Sequence, residues 1–368
     1  MEPNTVYRIG GWWFLSSAPN NEHEIGAKMS TERKMASIRQ IDEIKPIPDA
    51  DRICVYKIGG WDVVDQVGAH HLADMVVYCE IDSWIPNTIA PFLSKDKEPK
   101  EYDGIKGERL RTVKLRKQVS QGLLLPLSVL PDDYASRFLQ IGDDVSEALG
   151  IVKYEPPLPA ELRGLVKGNF PSFIPKTDEE RIQNLGPELA QWSTENHLWE
   201  VTEKCDGSSM TVYHNNGEYG VCSRNLDLKE TETNAFWKCA RSNFLIEKLV
   251  TRNVNYALQG ELIGEGIQGN PYKIKGQDFL LFNIWNIDEQ RYLTSVERTL
   301  FVEHNSIKHV PIVATLWIME HTIDELLWFA EAKSMLNPQT EREGIVFKRI
   351  KDGISFKAIS NKFLLKEK

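Results

Sequence analysis

The chain has 368 residues, 41% of them hydrophobic and 26% charged, with a formal net charge of −9. The length exceeds one ordinary core and points to two domains, and the composition is that of a folded globular protein. The acidic balance excludes a global basic field, so a polyanion would have to be met by a local patch.

Residues 1–35 contain neither a long apolar segment nor an arginine-rich one, so neither a secretory nor a mitochondrial leader is expected. They read as a poorly ordered extension whose only apolar stretch is the short GWWFL at residues 11–15. Residues 36–150 are strand-like. DRICVYKIGGWDVVDQ holds two β-rich runs split by Gly59 and Gly60, a hairpin signal. DMVVYCEIDSWIP is a further strand ending at proline, and GERLRTVKLRKQVSQGLLLPLSVL supplies two more. Several short strands with little helix predict a small β-barrel, with an OB-fold as the natural candidate. The basic strand followed by SQGLLLP, residues 120–126, resembles tRNA-binding OB modules.

Residues 151–165 include KYEPPLPAELRG, too proline-rich for helix or central strand, and read as a linker. A second domain, residues 166–368, follows. Thr177 with Glu180 has capping-box spacing and predicts that TDEERIQNLGPEL opens a helix. Beyond Trp199, strands and turns alternate, with helical stretches at 235–250 and 321–332. The predicted class is α+β with mostly antiparallel sheet. The five cysteines, Cys54, Cys79, Cys205, Cys222 and Cys239, form no CxxC pair, which argues against disulfide scaffolding and structural zinc. A reducing compartment, cytoplasmic or nuclear, is expected. No apolar run approaches the roughly 18 residues of a membrane helix, so no membrane partner is expected.

One stretch carries chemistry: EKCDGSSMTVYHNNGEYGVCSRN, residues 203–225. Asn216-Gly217 marks a two-residue turn, which pairs Asn215 with Glu218. Counting back along that ladder sets Arg224 opposite Ser209, or opposite Gly207 if the register shifts by one. Either way Arg224 returns to the loop bearing Lys204 and Asp206. A surface hairpin with a salt bridge is the plain reading. A lysine followed by x-Asp-Gly at a strand-to-turn junction also suits covalent nucleotidyl transfer. There an amine attacks phosphorus, neighbouring cations favour its neutral form, and the glycine admits the nucleotide.

Further segments follow in order: CSRN at 222–225, QGELIGEGIQ at 259–268, FLLFNIWNI at 279–287, REGIVFKRI at 342–350 and ISFKAISNKFLLK at 354–366. Together with KCDG they resemble the ordered motifs of the ATP-dependent ligase and capping-enzyme superfamily, from Trp199 to the end of the sequence. GELIGEGIQ and SNKF look most like RNA ligases of the nick-sealing kind, in the branch with an OB domain ahead of the transferase domain. DNA ligases and capping enzymes would place that domain after the last motif, where this sequence leaves no room, and NAD-dependent ligases would bring zinc cysteines.

The resemblance implies ATP and Mg²⁺ (or Mn²⁺) as cofactors and three steps: a lysyl-AMP adduct, transfer of AMP to a 5′-phosphate, and attack by a 3′-hydroxyl. It implies Lys204 as nucleophile and Glu203 at the adenine amino edge. Arg224 and Glu261 would contact ribose and nearby phosphate, with Phe282 rather than Phe279 stacked on adenine. Glu343 would hold the metal, with Asp206 as a second candidate, and Lys348 and Lys357 would neutralise the α-phosphate. Glu343 and Lys348 are an odd number apart, so on a flat strand only one would face the site. Many RNA ligases have a second lysine in the last motif, where this chain has Ile359. One phosphate contact is therefore missing or supplied by another residue.

Arg109, Arg111, Lys114, Arg116 and Lys117 form a basic strip that reads either as a phosphate-binding surface or as a solvated strand edge. The expected partner is RNA, or a duplex containing it, with 5′-phosphate and 3′-hydroxyl ends, and the expected state is a monomer. A different class, a catalytically inactive RNA-binding protein on a ligase scaffold, is opposed by the intact Lys204, Glu261, Glu343 and Lys357.

Overall fold

The computed structural model describes residues 5–9, 12–16, 33–95, 97–135, 137–156 and 164–366. The chain divides into two compact units, Met1–Ser30 and Thr31–Lys368. In the first, β1 (Thr5–Ile9) pairs antiparallel with β2 (Trp12–Ser16). The rest of the expected extension up to residue 32 lies outside the described residues, as do 157–163 of the expected linker.

The second unit opens with short strands: β3 (Ala36–Gln40), β4 (Glu43–Ile47), β5 (Ala50–Ile58), β6 (Trp61–Gln66), β7 (Met75–Cys79) and β8 (Ser83–Pro86). Then come β9 (Lys100–Tyr102), β10 (Ile105–Arg109), β11 (Val113–Leu115), β12 (Gln118–Ser120), β13 (Leu123–Leu125), a helical turn α1 (Asp132–Ala135) and β14 (Val152–Lys153). They form small antiparallel sheets, ordered β4-β5-β6, β13-β7-β3 and β14-β8-β10-β9, with β11-β12 a separate ribbon. Gly59 sits at φ +55 in the β5–β6 turn, where the double glycine is expected to make a hairpin. Because β14 pairs with β8, this body extends to Lys153, three residues into the segment read as linker.

The remaining chain builds two larger sheets. Their strands are β15 (Val166–Asn169), β16 (Glu180–Arg181), β17 (Leu198–Lys204), β18 (Ser208–Asn215), β19 (Glu218–Cys222), β20 (Leu226–Leu228) and β21 (Tyr256–Gly264). These continue with β22 (Gln277–Asn286), β23 (Arg291–Tyr292), β24 (Ile312–Ile318), β25 (Gly344–Arg349) and β26 (Ser355–Ile359). One sheet runs β15-β20-β19-β18-β21-β22-β23 and the other β16-β26-β25-β17-β24. Every pairing in the two is antiparallel except β16 with β26.

Helix α2 (Gly186–Glu195) is capped at Leu185, eight residues later than Thr177 suggests. Thr177 lies in irregular chain, and Glu180 and Arg181 are drawn into a strand beside Phe356 and Lys357. Tertiary pairing overrides the local cap signal, and Pro187 in the first turn marks the true start. Helices α3 (Ala235–Ser242), α4 (Leu245–Val250) and α6 (Ile323–Ala330) lie in the expected stretches. Helix α5 (Ser295–Asn305) has a complete capping box, Thr294 with Glu297, which the sequence carries openly. A short α7 (Asn361–Leu364) follows β26.

A large apolar cluster packs α3 and α4 on the seven-stranded sheet, through Trp237, Cys239, Leu249 and Leu258. A second packs α2 and α6 on the five-stranded sheet, through Trp192, Trp199, Leu326 and Phe356. A third is shared between the early strands and the C-terminal segment: Tyr56, Trp61, Tyr78 and Leu124 join Ile359, Leu364 and Phe363. The two domains therefore share one buried core. The five cysteines are free and buried. No helix among the described residues is long and apolar enough to cross a membrane.

Candidate active site

Lys204 ends β17 and Ser208 opens β18, so residues 205–207 carry the chain from one large sheet to the other. A Cβ on Gly207 would come within 2.4 Å of the Leu262 carbonyl oxygen and 2.8 Å of Glu261 Cγ. This glycine, expected to admit a nucleotide, is demanded first by the close approach of β21. The main-chain N–H of Asp206 donates to the Tyr272 hydroxyl at 2.6 Å, which pins the turn from its other side.

The hairpin forms in the predicted register. Asn215 faces Glu218 and Thr211 faces Cys222, with Asn216 and Gly217 both at positive φ in the turn. This register excludes the one-residue shift; the ladder ends at Thr211 with Cys222, and Arg224 lies in the bend just beyond β19.

Glu200, Thr202 and Lys204 oppose Lys348, Val346 and Gly344, and Val346 opposes Lys357. Directly paired residues share a face, so Lys204, Lys348 and Lys357 lie on one side of the five-stranded sheet. That side meets the seven-stranded sheet: the Lys348 ammonium donates to the Phe282 carbonyl at 3.1 Å and to the Asn283 side chain. Glu343 precedes β25 and is outside the alternation of the strand. Its Oε1 lies 2.5 Å from Lys204 Nζ. Both members of the odd-spaced pair therefore reach the cleft. A Cβ on Gly344 would meet the Ala358 carbonyl oxygen at 2.3 Å, so glycine here permits the close β25–β26 approach beside Glu343.

The electrostatics differ from the expectation of a lysine depressed by cations. Burial disfavours the Lys204 ammonium, but the Glu343 and Glu261 carboxylates outweigh it and raise the amine above its ordinary value. Burial pushes the Glu261 carboxyl up to about 8; Lys204 opposes this, while Glu343 and Asp206 add to it. Burial also brings Lys348 down to about 7, with the nearby Arg298 guanidinium adding to the effect.

Phe282 is half-buried against Cys205, Ile263, Tyr272, Leu280 and Val310, whereas Phe279 is 1% exposed in the core beneath α3 and α4. Glu203 alternates away from Lys204 and is buried, with Ser334 Oγ donating to it at 2.5 Å and the Met335 N–H at 2.7 Å. Its carboxylate is held by the Ser334–Met335 segment, whose next residue, Leu336, packs in the same cluster as Phe282.

Two residues not singled out from the sequence complete the cleft. Asp178 accepts hydrogen bonds from Lys357 at 2.9 Å, Lys153 at 2.7 Å and Arg224 at 3.1 Å. Lys153 comes from β14, so the first domain contributes directly to the site. Asp178 stands in the KTDEER stretch but is masked there by the cap signal, and Lys153 is masked by the prolines after it.

Ile359, where many RNA ligases have the second lysine, is 3% exposed and packs into the interdomain core. Arg109 also leaves its predicted group. It lies 2.5 Å from Asp82 and its guanidinium stands over the Tyr154 ring, 5.0 Å from the centroid. Arg111, Lys114, Arg116 and Lys117 are exposed on and beside the β11–β12 ribbon.

Among the described residues no cluster of three or more His, Cys, Asp or Glu forms a ready metal cage. A magnesium-type ion characteristically takes one or two carboxylates and completes its shell with phosphates and water, and Glu343 presents a carboxylate beside Lys204.

A family model described as RNA ligase matches residues 197–362, and a model of an OB-fold domain matches 35–127. No curated protein matches the chain. Solved structures of a Naegleria gruberi RNA ligase do match: variants with AMP and Mn and with ATP and Mn, and the ligase with PPi. Each is 48% identical, covers 91% of this chain and 99% of that one, and superposes with a TM-score of 0.84. The α+β architecture is thus an OB-fold domain followed by a ligase nucleotidyltransferase domain, and the chain belongs to the RNA ligase family.

Proposed function

We propose that this RNA ligase uses ATP to join a 3′-hydroxyl end to a 5′-phosphate end through lysyl-AMP on Lys204 and an adenylylated RNA, sealing nicks in duplexes whose 3′-hydroxyl strand is RNA. The observation that carries this is the Lys204 amine, held 2.5 Å from Glu343 on a cleft face that also presents Lys348 and Lys357. The Naegleria ligase structures with ATP and Mn, AMP and Mn, and PPi support the choice of nucleotide and metal.

In the first step the Lys204 nitrogen attacks the α-phosphorus of ATP and pyrophosphate leaves. AMP then passes to the RNA 5′-phosphate, and the 3′-hydroxyl displaces it. Negative charge moves among phosphate oxygens throughout, so positioning and fixed positive charge do most of the work. Phe282 stacks on adenine, while Arg224 and Glu261 hold ribose and the adjoining phosphate. Lys348 and Lys357 offset the α-phosphate charge. The proton on Lys204 Nζ has to leave before attack, against the hold of Glu343 and Glu261. Glu343, with Asp206 as a second ligand, would hold Mg²⁺ or Mn²⁺; when bound, the ion supplies positive charge that weakens that hold and screens the phosphates.

RNA is met by the β11–β12 ribbon. Its tip residues Arg116 and Lys117 have φ +47 and +70, where Asn-Gly would be less strained. The gain from the costlier pair is charge, set on an acidic protein where a polyanion can reach it.

The test is incubation with α-labelled ATP and Mg²⁺, then denaturing electrophoresis and peptide mapping. Label on Lys204, lost in Lys204→Ala, is the expected result. A normal adduct in Lys204→Ala refutes the assignment, and no label on folded wild-type protein with either Mg²⁺ or Mn²⁺ favours a non-catalytic RNA-binding protein.

A further inference from the structure

Three cations from three separate segments converge on one carboxylate. Lys357 of β26 meets Asp178 Oδ1, while Lys153 of β14 and Arg224 beyond β19 meet Oδ2. The Asp178 side chain is 19% exposed, and the Lys357 side chain 9%. Burial alone would raise the Asp178 carboxyl, yet Lys357, Lys153 and Arg224 together hold it well below the usual range. The surroundings reinforce the arrangement: Asn225, next to Arg224, accepts from Lys176 at 2.9 Å and donates to Glu155 at 2.8 Å.

We propose that Asp178 is a resident anion of the phosphate site: it holds Lys153, Lys357 and Arg224 together in the nucleotide-free enzyme and yields them to the phosphates of ATP. The inference rests on the reading that this cleft binds ATP. Like charges gathered this closely repel, so some anion has to compensate them until the nucleotide arrives. A carboxylate presents two oxygens to these donors, and a phosphate group presents more. The same carboxylate then competes with every incoming phosphate and repels it. Asp178 is in this sense a positioning residue, acting through the three cations, and its presence trades phosphate affinity for order. That exchange also limits how firmly departing pyrophosphate is retained.

The experiment compares wild type with Asp178→Asn, which keeps side-chain shape while removing charge. Binding of inorganic pyrophosphate with Mg²⁺ is measured by calorimetry, and adenylylation by single-turnover labelling against ATP concentration. Asp178→Asn is expected to bind pyrophosphate about five-fold more tightly and to half-saturate at lower ATP. Its maximal rate is expected to fall about ten-fold, because the cations are less well placed. A merely structural role would weaken binding and rate together. Unchanged or weaker pyrophosphate binding overturns the proposal. If Asp178→Asn does not fold, as judged by thermal melting, Asp178→Ser is subject to the same comparison. Absence of label in folded wild type would instead overturn the ATP reading, so the two failures are distinct.

Discussion

Replacing Ile359 by lysine restores the residue that many RNA ligases carry in the last motif, and the structure predicts damage rather than gain. Ile359 is 3% exposed among Tyr56, Trp61, Tyr78 and Leu124 of the first domain. Losing a fully buried isoleucine forfeits about 1.5–3 kcal/mol of burial. The new ammonium would be buried without an acceptor. Lys348, which has two acceptors, is already brought down to about 7. A similar depression from the ordinary lysine value near 10.4 corresponds to roughly 4–5 kcal/mol. Together Ile359→Lys should cost about 5.5–8 kcal/mol, against a typical total stability of roughly 5–15 kcal/mol. Ile359→Val, which removes one methyl group, should cost only about 1 kcal/mol. Urea unfolding monitored by tryptophan fluorescence measures both, and adenylylation is assayed where each variant remains folded. Ile359→Lys should unfold in little or no urea and adenylylate no faster than wild type. A variant within about 1 kcal/mol of wild type that also adenylylates faster would refute the shared-core argument and put this side chain at the phosphate.

The ribbon gives a second prediction. Replacing Arg111, Lys114, Arg116 and Lys117 by glutamine should weaken binding to nicked duplex and lower the slope of log affinity against log salt by about 3–4. Adenylylation of Lys204 should survive, and equal loss of both activities would make the ribbon structural. A third concerns acid stability. Burial, with Arg298 beside it, pushes His309 from 6.5 down to about 4. Its Nε2 accepts from Arg298, and its Nδ1 contacts the Val310 carbonyl, which suits the neutral ring. Below about pH 6.5 the unfolded chain takes up a proton that the folded chain refuses until about pH 4. This contribution is therefore full above 6.5 and is lost as pH falls towards 4, by at most about 3 kcal/mol. His309→Gln should flatten that part of a urea-stability profile, and an unchanged profile would refute the assignment.

Local chemistry made much of this protein legible before its fold. Asn216-Gly217 set the hairpin register because a two-residue turn leaves the ladder no freedom, and that register runs to Thr211 with Cys222. Lys204, Glu261, Glu343 and Lys357 stand in ordered short motifs, and the structure places Glu343 against Lys204. Local signals misled where tertiary pairing was stronger. The Thr177–Glu180 spacing is a genuine cap pattern, yet Glu180 and Arg181 gain more by pairing with β26. Glu203 alternates away from Lys204 and is held by Ser334 and Met335, partners that its motif does not announce. Arg109 counted as surface charge until Asp82 and Tyr154 claimed it.

The sequence by itself determined the order of motifs, the lysine proposed as nucleophile, the turn that brings the chain back towards it, and the two-domain α+β plan. These follow from residue type and short spacing, which act within a few positions of the chain. Only the tertiary structure decided that Lys153 and Asp178 belong to the site, that Lys348 and Glu343 both reach it, and that Ile359 serves the core shared by the domains. Each of these depends on partners far away in the chain, such as the 179 residues between Asp178 and Lys357. Such contacts are selected by packing and charge compensation among whole sheets, and no local pattern encodes them.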